Sequence, residues 1–108
     1  MKPWEVWDSP LFGMHPCVIV SNGKRVEWKN KVVVLKCTTL RPGVPYHPDE
    51  LHTTLDQEDG LQTATRCECD LLYTVAKSDL KKRRGEVCFD RRRDISRKII
   101  QGLAIAGM

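Results

Sequence analysis

No hydrophobic run in this chain approaches the ~20 residues that a bilayer span requires. The opening residues, Met1-Lys2-Pro3-Trp4-Glu5, hold no apolar stretch of signal-peptide type. Together these absences predict a cytoplasmic protein with no membrane partner. Phosphate-binding loops are missing too: neither Gly-x-x-x-x-Gly-Lys nor Gly-x-Gly-x-x-Gly occurs. No Gly-x-Ser-x-Gly elbow presents a serine nucleophile. There is no internal repeat and no low-complexity tract. Cys67-x-Cys69 puts two thiols on one strand face, but no second Cys or Cys/His pair stands at matching zinc spacing. His47 and His52, five residues apart around a proline-rich stretch, make a weak substitute. The reading is no metal and no cofactor, with the paired thiols in the core.

Cysteine is present in an odd number. The five thiols, at 17, 37, 67, 69 and 88, sit in apolar, strand-like runs and not in loops. That pattern predicts reduced, buried thiols and argues against a disulfide framework. A cysteine nucleophile would need a histidine brought beside it, which spacing alone does not show.

The 108 residues correspond to a single domain, 1–108. At 41% hydrophobic and 30% charged, the chain can bury a modest core and stay in solution. The formal charge of +4 permits a polyanionic partner without requiring one. The basic residues cluster. Lys81-Lys82-Arg83-Arg84 and Arg91-Arg92-Arg93 flank a short apolar segment, as two solvated turns or as a nucleic-acid surface.

The strongest strand signal is Val32-Val33-Val34-Leu35-Lys36-Cys37-Thr38-Thr39, which breaks at Arg41-Pro42-Gly43. Period-2 geometry puts Val33, Leu35, Cys37 and Thr39 on one face, read as core. Val32, Val34, Lys36 and Thr38 take the other, which ends in a cation beside a hydroxyl. Trp4–Trp7 forms an earlier short strand, followed by a compact connection over 11–14. Cys17–Val20 is apolar enough for burial on both faces. Arg25 to Lys31 is ambiguous, with Val26 and Trp28 able to pack as a short extended arm. Prolines at 42, 45 and 48 make 41–49 a loop or an edge. Leu51–Leu55 reads as a strand, and Asp56–Gly60 as an acidic turn. Thr65 to Thr74 alternates, with Thr65, Cys67, Cys69, Leu71 and Tyr73 on one side and Arg66, Glu68, Asp70, Leu72 and Thr74 on the other. Ser78–Leu80 is a helical turn and Glu86–Phe89 a last strand. Asp90 caps a helix whose apolar side is Ile95, Ile99, Ile100 and Leu103, stopped by Gly107. The sum is mainly β with α: about six short, mostly antiparallel strands in a strongly bent sheet or small barrel, closed by a C-terminal amphipathic helix.

If such a sheet curls, three polar groups converge at one rim: Lys36 with Thr38, the row Arg66, Glu68 and Asp70, and His15 before the second strand. An acid/base pair with a cation and a hydroxyl suits phosphodiester cleavage. The competing reading is an ordinary solvated face with cross-strand ion pairs worth ~0.2–1 kcal/mol each.

The order and spacing of these segments resemble the MazF/PemK family of bacterial toxin endoribonucleases, Kid included. Glu5-Val6-Trp7 is similar to the family's "GEIW" or "GDVY" strand. His15-Pro16-Cys17-Val18-Ile19-Val20 is similar to "RPVLVV", and Val33–Thr38 to the strand ending in "ITS" or "VTS". Cys69-Asp70-Leu71-Leu72-Tyr73-Thr74 resembles "CDQPRT", and Val75–Leu80 the "IDKxRL" turn. The resemblance implies an SH3-like barrel with a C-terminal helix, usually a homodimer. It implies metal-independent cleavage of single-stranded RNA to 2′,3′-cyclic phosphate and 5′-hydroxyl ends, and a cognate antitoxin protein that blocks the RNA groove. It makes Thr38 the hydroxyl at the scissile phosphate and Asp70 the acid/base aspartate. His15 stands where the family has an arginine, and can move a proton near neutral pH. Glu68 stands where the family has a second arginine. The expected catalytic residues are therefore His15, Thr38 and Asp70, with Lys36, Arg66, Arg83 and Arg84 binding RNA. Trp28 and the 42–48 loop are candidate dimer surfaces. The alternative on the same scaffold is a non-catalytic binding module, or a CcdB-like toxin that grips a target protein.

Overall fold

The central strand carries apolar side chains on both of its faces, and the fold covers both. The computed structural model describes residues 1–10, 13 and 15–103. Six strands are described: β1 (Glu5–Ser9), β2 (His15–Ile19), β3 (Lys31–Thr39), β4 (His52–Leu55), β5 (Thr65–Ala76) and β6 (Lys82–Glu86). Helix α1 (Gly23–Trp28) precedes β3, and α2 (Phe89–Gly102) follows β6. The strands form one sheet in the order β4-β5-β3-β2-β1-β6, with every neighbouring pair antiparallel. It is a bent antiparallel half-barrel with a C-terminal helix, as the sequence predicts.

Leu35 and Cys37 of β3 enter one core with Val6, Val18, Leu55, Cys67, Cys69 and Ile95, the last from α2. Val32 and Val34 enter a second core with Cys17, Ile19, Val75, Leu80 and Val26, the last from α1. The core is thus wider than the odd-numbered face of β3. Val33 is only half-buried, whereas Val32 and Val34 are buried. Burying each such aliphatic side chain stabilises the fold by about 1.5–3 kcal/mol.

Three segments differ from the sequence expectation, each for a local reason. The 25–31 arm is not extended; α1 occupies most of it. Asn22 caps this helix by accepting a hydrogen bond from the Arg25 N–H at 2.9 Å, and the Lys77 ammonium donates to the Val26 carbonyl at 2.6 Å. The last strand lies earlier than Glu86–Phe89. The basic run itself forms β6, because Arg83 and Arg84 find Glu5 and Asp8 beside them at 2.7 and 3.0 Å. Phe89 opens α2 and stays exposed. Asp90 lies in the first turn of α2, and the N-cap is Cys88, whose N–H donates to Asp59 at 2.8 Å.

The third difference lies within β5. Leu35 is paired with Leu72, but Cys37 is paired with Cys67, so Glu68 to Leu71 stand opposite Lys36 alone. This large bulge inverts the alternation. Cys67, Cys69 and Leu72 pack on the α2 side, whereas Tyr73 and Val75 pack on the α1 side. Leu71, which simple alternation puts on the side of Cys67 and Cys69, is exposed. The expected connection at 11–14 falls largely outside the described residues, as does the helix stop at Gly107.

Glycine is required where β6 crosses the 3₁₀ turn Gln57–Asp59. A Cβ on Gly85 would lie 2.2 Å from the Asp59 carbonyl oxygen and 2.8 Å from the Gly60 Cα. Gly60 itself has φ +87°, in the left-handed region.

Candidate functional site

The polar ends of β2, β3 and β5 meet on the α1 side of the sheet. Cys17 pairs with Lys36, and Thr38 with Arg66. Period-2 geometry then gives His15, Lys36 and Thr38 the same face as Cys17 and Val34. A cleft of about 440 Å³ opens there, within the range of small-ligand sites. His15, Pro16, Thr38 and Arg66 form its walls, and Arg41, Val44 and Tyr46 of the proline-rich loop form its roof. A much smaller recess adjoins it, lined by Ser9, His15, Cys17, Lys36 and Tyr73. His15 borders both.

The remaining expected residues lie elsewhere. Asp70, in the β5 bulge, is exposed and borders neither recess. Its neighbour is the end of α2, where a Cβ added to Gly102 would lie 3.0 Å from the Asp70 Cβ. Arg83 and Arg84 are in the ion pairs that fasten β6 to β1. In the second basic run, Arg91 is paired with Asp56 and Asp59, and Arg92 lies 3.6 Å from Glu86.

Further side chains gather around Arg66. Tyr46 approaches the Arg66 guanidinium from the roof, with the guanidinium carbon 5.9 Å from the ring centroid. The Tyr46 hydroxyl lies 3.3 Å from Nδ1 of His52, and the two rings are stacked at 6.2 Å. His52 is the cross-strand partner of Glu68. Glu68 is 7% exposed, and its Oε1 lies 3.3 Å from Nε of Arg66. The alternation of β5 puts Arg66 and Glu68 on one face, a signal visible in the sequence. Nothing in the sequence reports that the loop folds Tyr46 back over them.

Among the described residues, no group of three His, Cys, Asp or Glu side chains is placed to hold a metal ion. Three of the buried thiols are held back from ionising by their surroundings. Burial, with Asp8 adding to it, pushes Cys17 up to about 12. Cys67 is raised by its hydrogen bond with Cys37, and Cys69 by its hydrogen bond with Cys67. The cleft thus offers guanidinium donors, a hydroxyl, an imidazole and an aromatic ring. This set suits an anion that carries a planar group.

A family model described as the PemK-like, MazF-like toxin of type II toxin-antitoxin systems matches residues 8–103. No curated protein sequence matches the chain. Among solved structures, an endoribonuclease in complex with its cognate antitoxin, from a mycobacterial species, superposes with a TM-score of 0.83 at 24% identity. That match covers 97% of this chain and 96% of the other. The Mycobacterium tuberculosis toxin MazF-mt6 gives 0.79 at 18% identity, over 94% and 97% of the two chains. A MazE–MazF structure from Deinococcus radiodurans gives 0.74 at 14% identity, over 98% and 97%. At these identities the likeness is one of fold.

Proposed function

The chain belongs to the PemK-like, MazF-like toxin family of type II toxin–antitoxin systems, and from that membership we propose that it is an endoribonuclease that cuts single-stranded RNA without a metal ion. The observation that carries this reading is the meeting of His15, Thr38 and Arg66 on one cleft, with Thr38 and Arg66 as direct cross-strand partners. In the proposed reaction, the ribose 2′-oxygen attacks the adjacent phosphorus and the 5′-oxygen leaves. The products are a 2′,3′-cyclic phosphate and a 5′-hydroxyl. Thr38 donates a hydrogen bond to a phosphate oxygen. Arg66 and Lys36 stabilise the charge that builds on the phosphoryl oxygens. His15, at the mouth of both recesses, moves a proton between the reacting oxygens and the solvent. Asp70 enters the proposal through the family resemblance, as a second proton carrier reached by RNA that runs past the β5 bulge. Arg83 and Arg84 are proposed to meet the RNA backbone farther out. A cognate antitoxin and a second copy of the chain are the proposed protein partners, and the cytoplasm is the proposed location.

The test is cleavage of a single-stranded RNA by purified protein at low salt in EDTA, with the ends identified. Cyclic-phosphate ends are expected. Thr38→Val and His15→Ala are each expected to slow cleavage by about 10²–10³-fold. RNA left intact at high protein concentration would sink the proposal. Growth arrest that persists in a His15→Ala, Thr38→Val double variant would favour a toxin that acts by binding alone.

A further inference from the structure

At and behind the cleft-lining Arg66, two buried polar atoms have no hydrogen-bond partner among the described residues, and they belong to neighbouring side chains. One is Nε of Arg66, and the other is Oε2 of Glu68. Nε already lies 3.3 Å from Oε1 of the same carboxylate, in an orientation that makes no hydrogen bond. A charge-assisted hydrogen bond is thus nearly formed but not closed. A buried donor and acceptor left in this state are costly, and a small rotation of the guanidinium would satisfy Nε. The Tyr46 ring lies near the same guanidinium, with its centroid 5.9 Å from the guanidinium carbon. Arg66 thus has an aromatic ring and a buried carboxylate as neighbours, and its side chain, one-third exposed, borders the cleft.

We propose that Glu68 is a positioning residue for Arg66. When an RNA phosphate enters the cleft, it draws the Nη groups forward, and Nε turns onto the Glu68 carboxylate. The closed hydrogen bond fixes the plane of the guanidinium, so that its outer N–H groups meet the phosphate as a fork. The carboxylate does not touch the RNA, and it acts only through Arg66. This role rests on the RNA-binding reading of the cleft, but not on cleavage.

The test uses a 2′-O-methyl single-stranded oligoribonucleotide, which binds without a 2′-hydroxyl to attack. Its affinity is measured by fluorescence anisotropy for the wild type, Glu68→Gln, Arg66→Ala and the double variant. Each single variant is expected to weaken binding about tenfold or more, as loss of a charged hydrogen bond does. The double variant is expected to bind no worse than Arg66→Ala alone. In NMR spectra of the wild type, saturation with the oligonucleotide is expected to bring out a protected, downfield-shifted Arg66 Nε–H signal. That signal is expected to be missing from Glu68→Gln. Losses that multiply in the double variant, or unchanged affinity in Glu68→Gln, would overturn the proposal. An Arg66 Nε–H signal that RNA leaves unmoved would overturn it with no variant needed. Wild-type protein that binds in the expected pattern, yet leaves unmodified RNA whole, would remove the nuclease reading and leave this role of Glu68 standing.

Discussion

Asp59 and Arg91, thirty-two residues apart, form an ion pair in which the carboxylate is completely buried. Asp59 also accepts from the backbone N–H groups of Asp56 and Cys88, at 2.9 and 2.8 Å. Arg91 forks between Asp59 and Asp56. One carboxylate thus ties the 3₁₀ turn to the start of α2, against which β6 passes.

Arg91→Ala is expected to destabilise the protein by about 3 kcal/mol or more, because it leaves a buried carboxylate without its counter-charge. Arg91→Lys should recover only part of this, since an ammonium cannot bridge two carboxylates as a fork does. Urea unfolding followed by circular dichroism measures both. A midpoint for Arg91→Ala close to the wild type would show that the pair contributes little.

Asp94 links α2 to β4, and it sets an acid limit on stability. It accepts from the Thr53 hydroxyl at 2.8 Å, from Arg97 at 2.8 Å, and lies 3.0 Å from the Lys98 ammonium. Burial disfavours its charge, but hydrogen bonds from Arg97, Lys98 and Thr53 outweigh burial and bring its pKa from 3.8 to about 2. The unfolded chain therefore takes up this proton more readily than the folded one. The contribution is full above about pH 4 and is lost as pH falls towards about 2. Its size is about 1 kcal/mol, because the side chain is a third exposed and solvent screens it. Unfolding free energies at about pH 5 and about pH 2.5 should converge between wild type and Asp94→Asn. A constant gap between the two would count against this assignment.

The thiols give a prediction for chemical labelling. Cys17, Cys37, Cys67 and Cys69 are buried, and Cys88 is half-buried at the start of α2. At neutral pH, a thiol reagent should modify Cys88 alone in the folded protein, and all five cysteines after unfolding in urea. Mass spectrometry of the labelled protein reads the count. Rapid labelling of Cys17 under native conditions would contradict its burial.

Much of this arrangement is written in local patterns. The β-branched run of β3 marks the central strand, and period 2 alone puts Lys36 and Thr38 on one face. The helical spacing of Ile95 and Ile99 marks α2, and the order of the segments carries the family likeness. What the sequence conceals arises from contacts between distant parts. The inversion in β5 comes from extra residues in one strand against its partner, which no single-strand pattern reports. It is why Asp70 lies beside Gly102 at the end of α2, although simple alternation gives it the face of Arg66 and Glu68. Tyr46 reaches the cleft through a loop without regular periodicity. The roles of Arg83 and Arg84 depend on acidic partners more than seventy residues away in the chain.

The bulge in β5 also has a bearing on how the molecule comes apart. A single strand delivers Cys67 and Cys69 to the layer under α2 and, a few residues later, Tyr73 and Val75 to the layer under α1. Neither layer can lose its packing without pulling on the strand that the other needs. The two cores are thereby joined through one strand, which favours their unfolding together. The walls of the cleft, borne by β2, β3 and β5, should hold their shape until the whole sheet gives way at once.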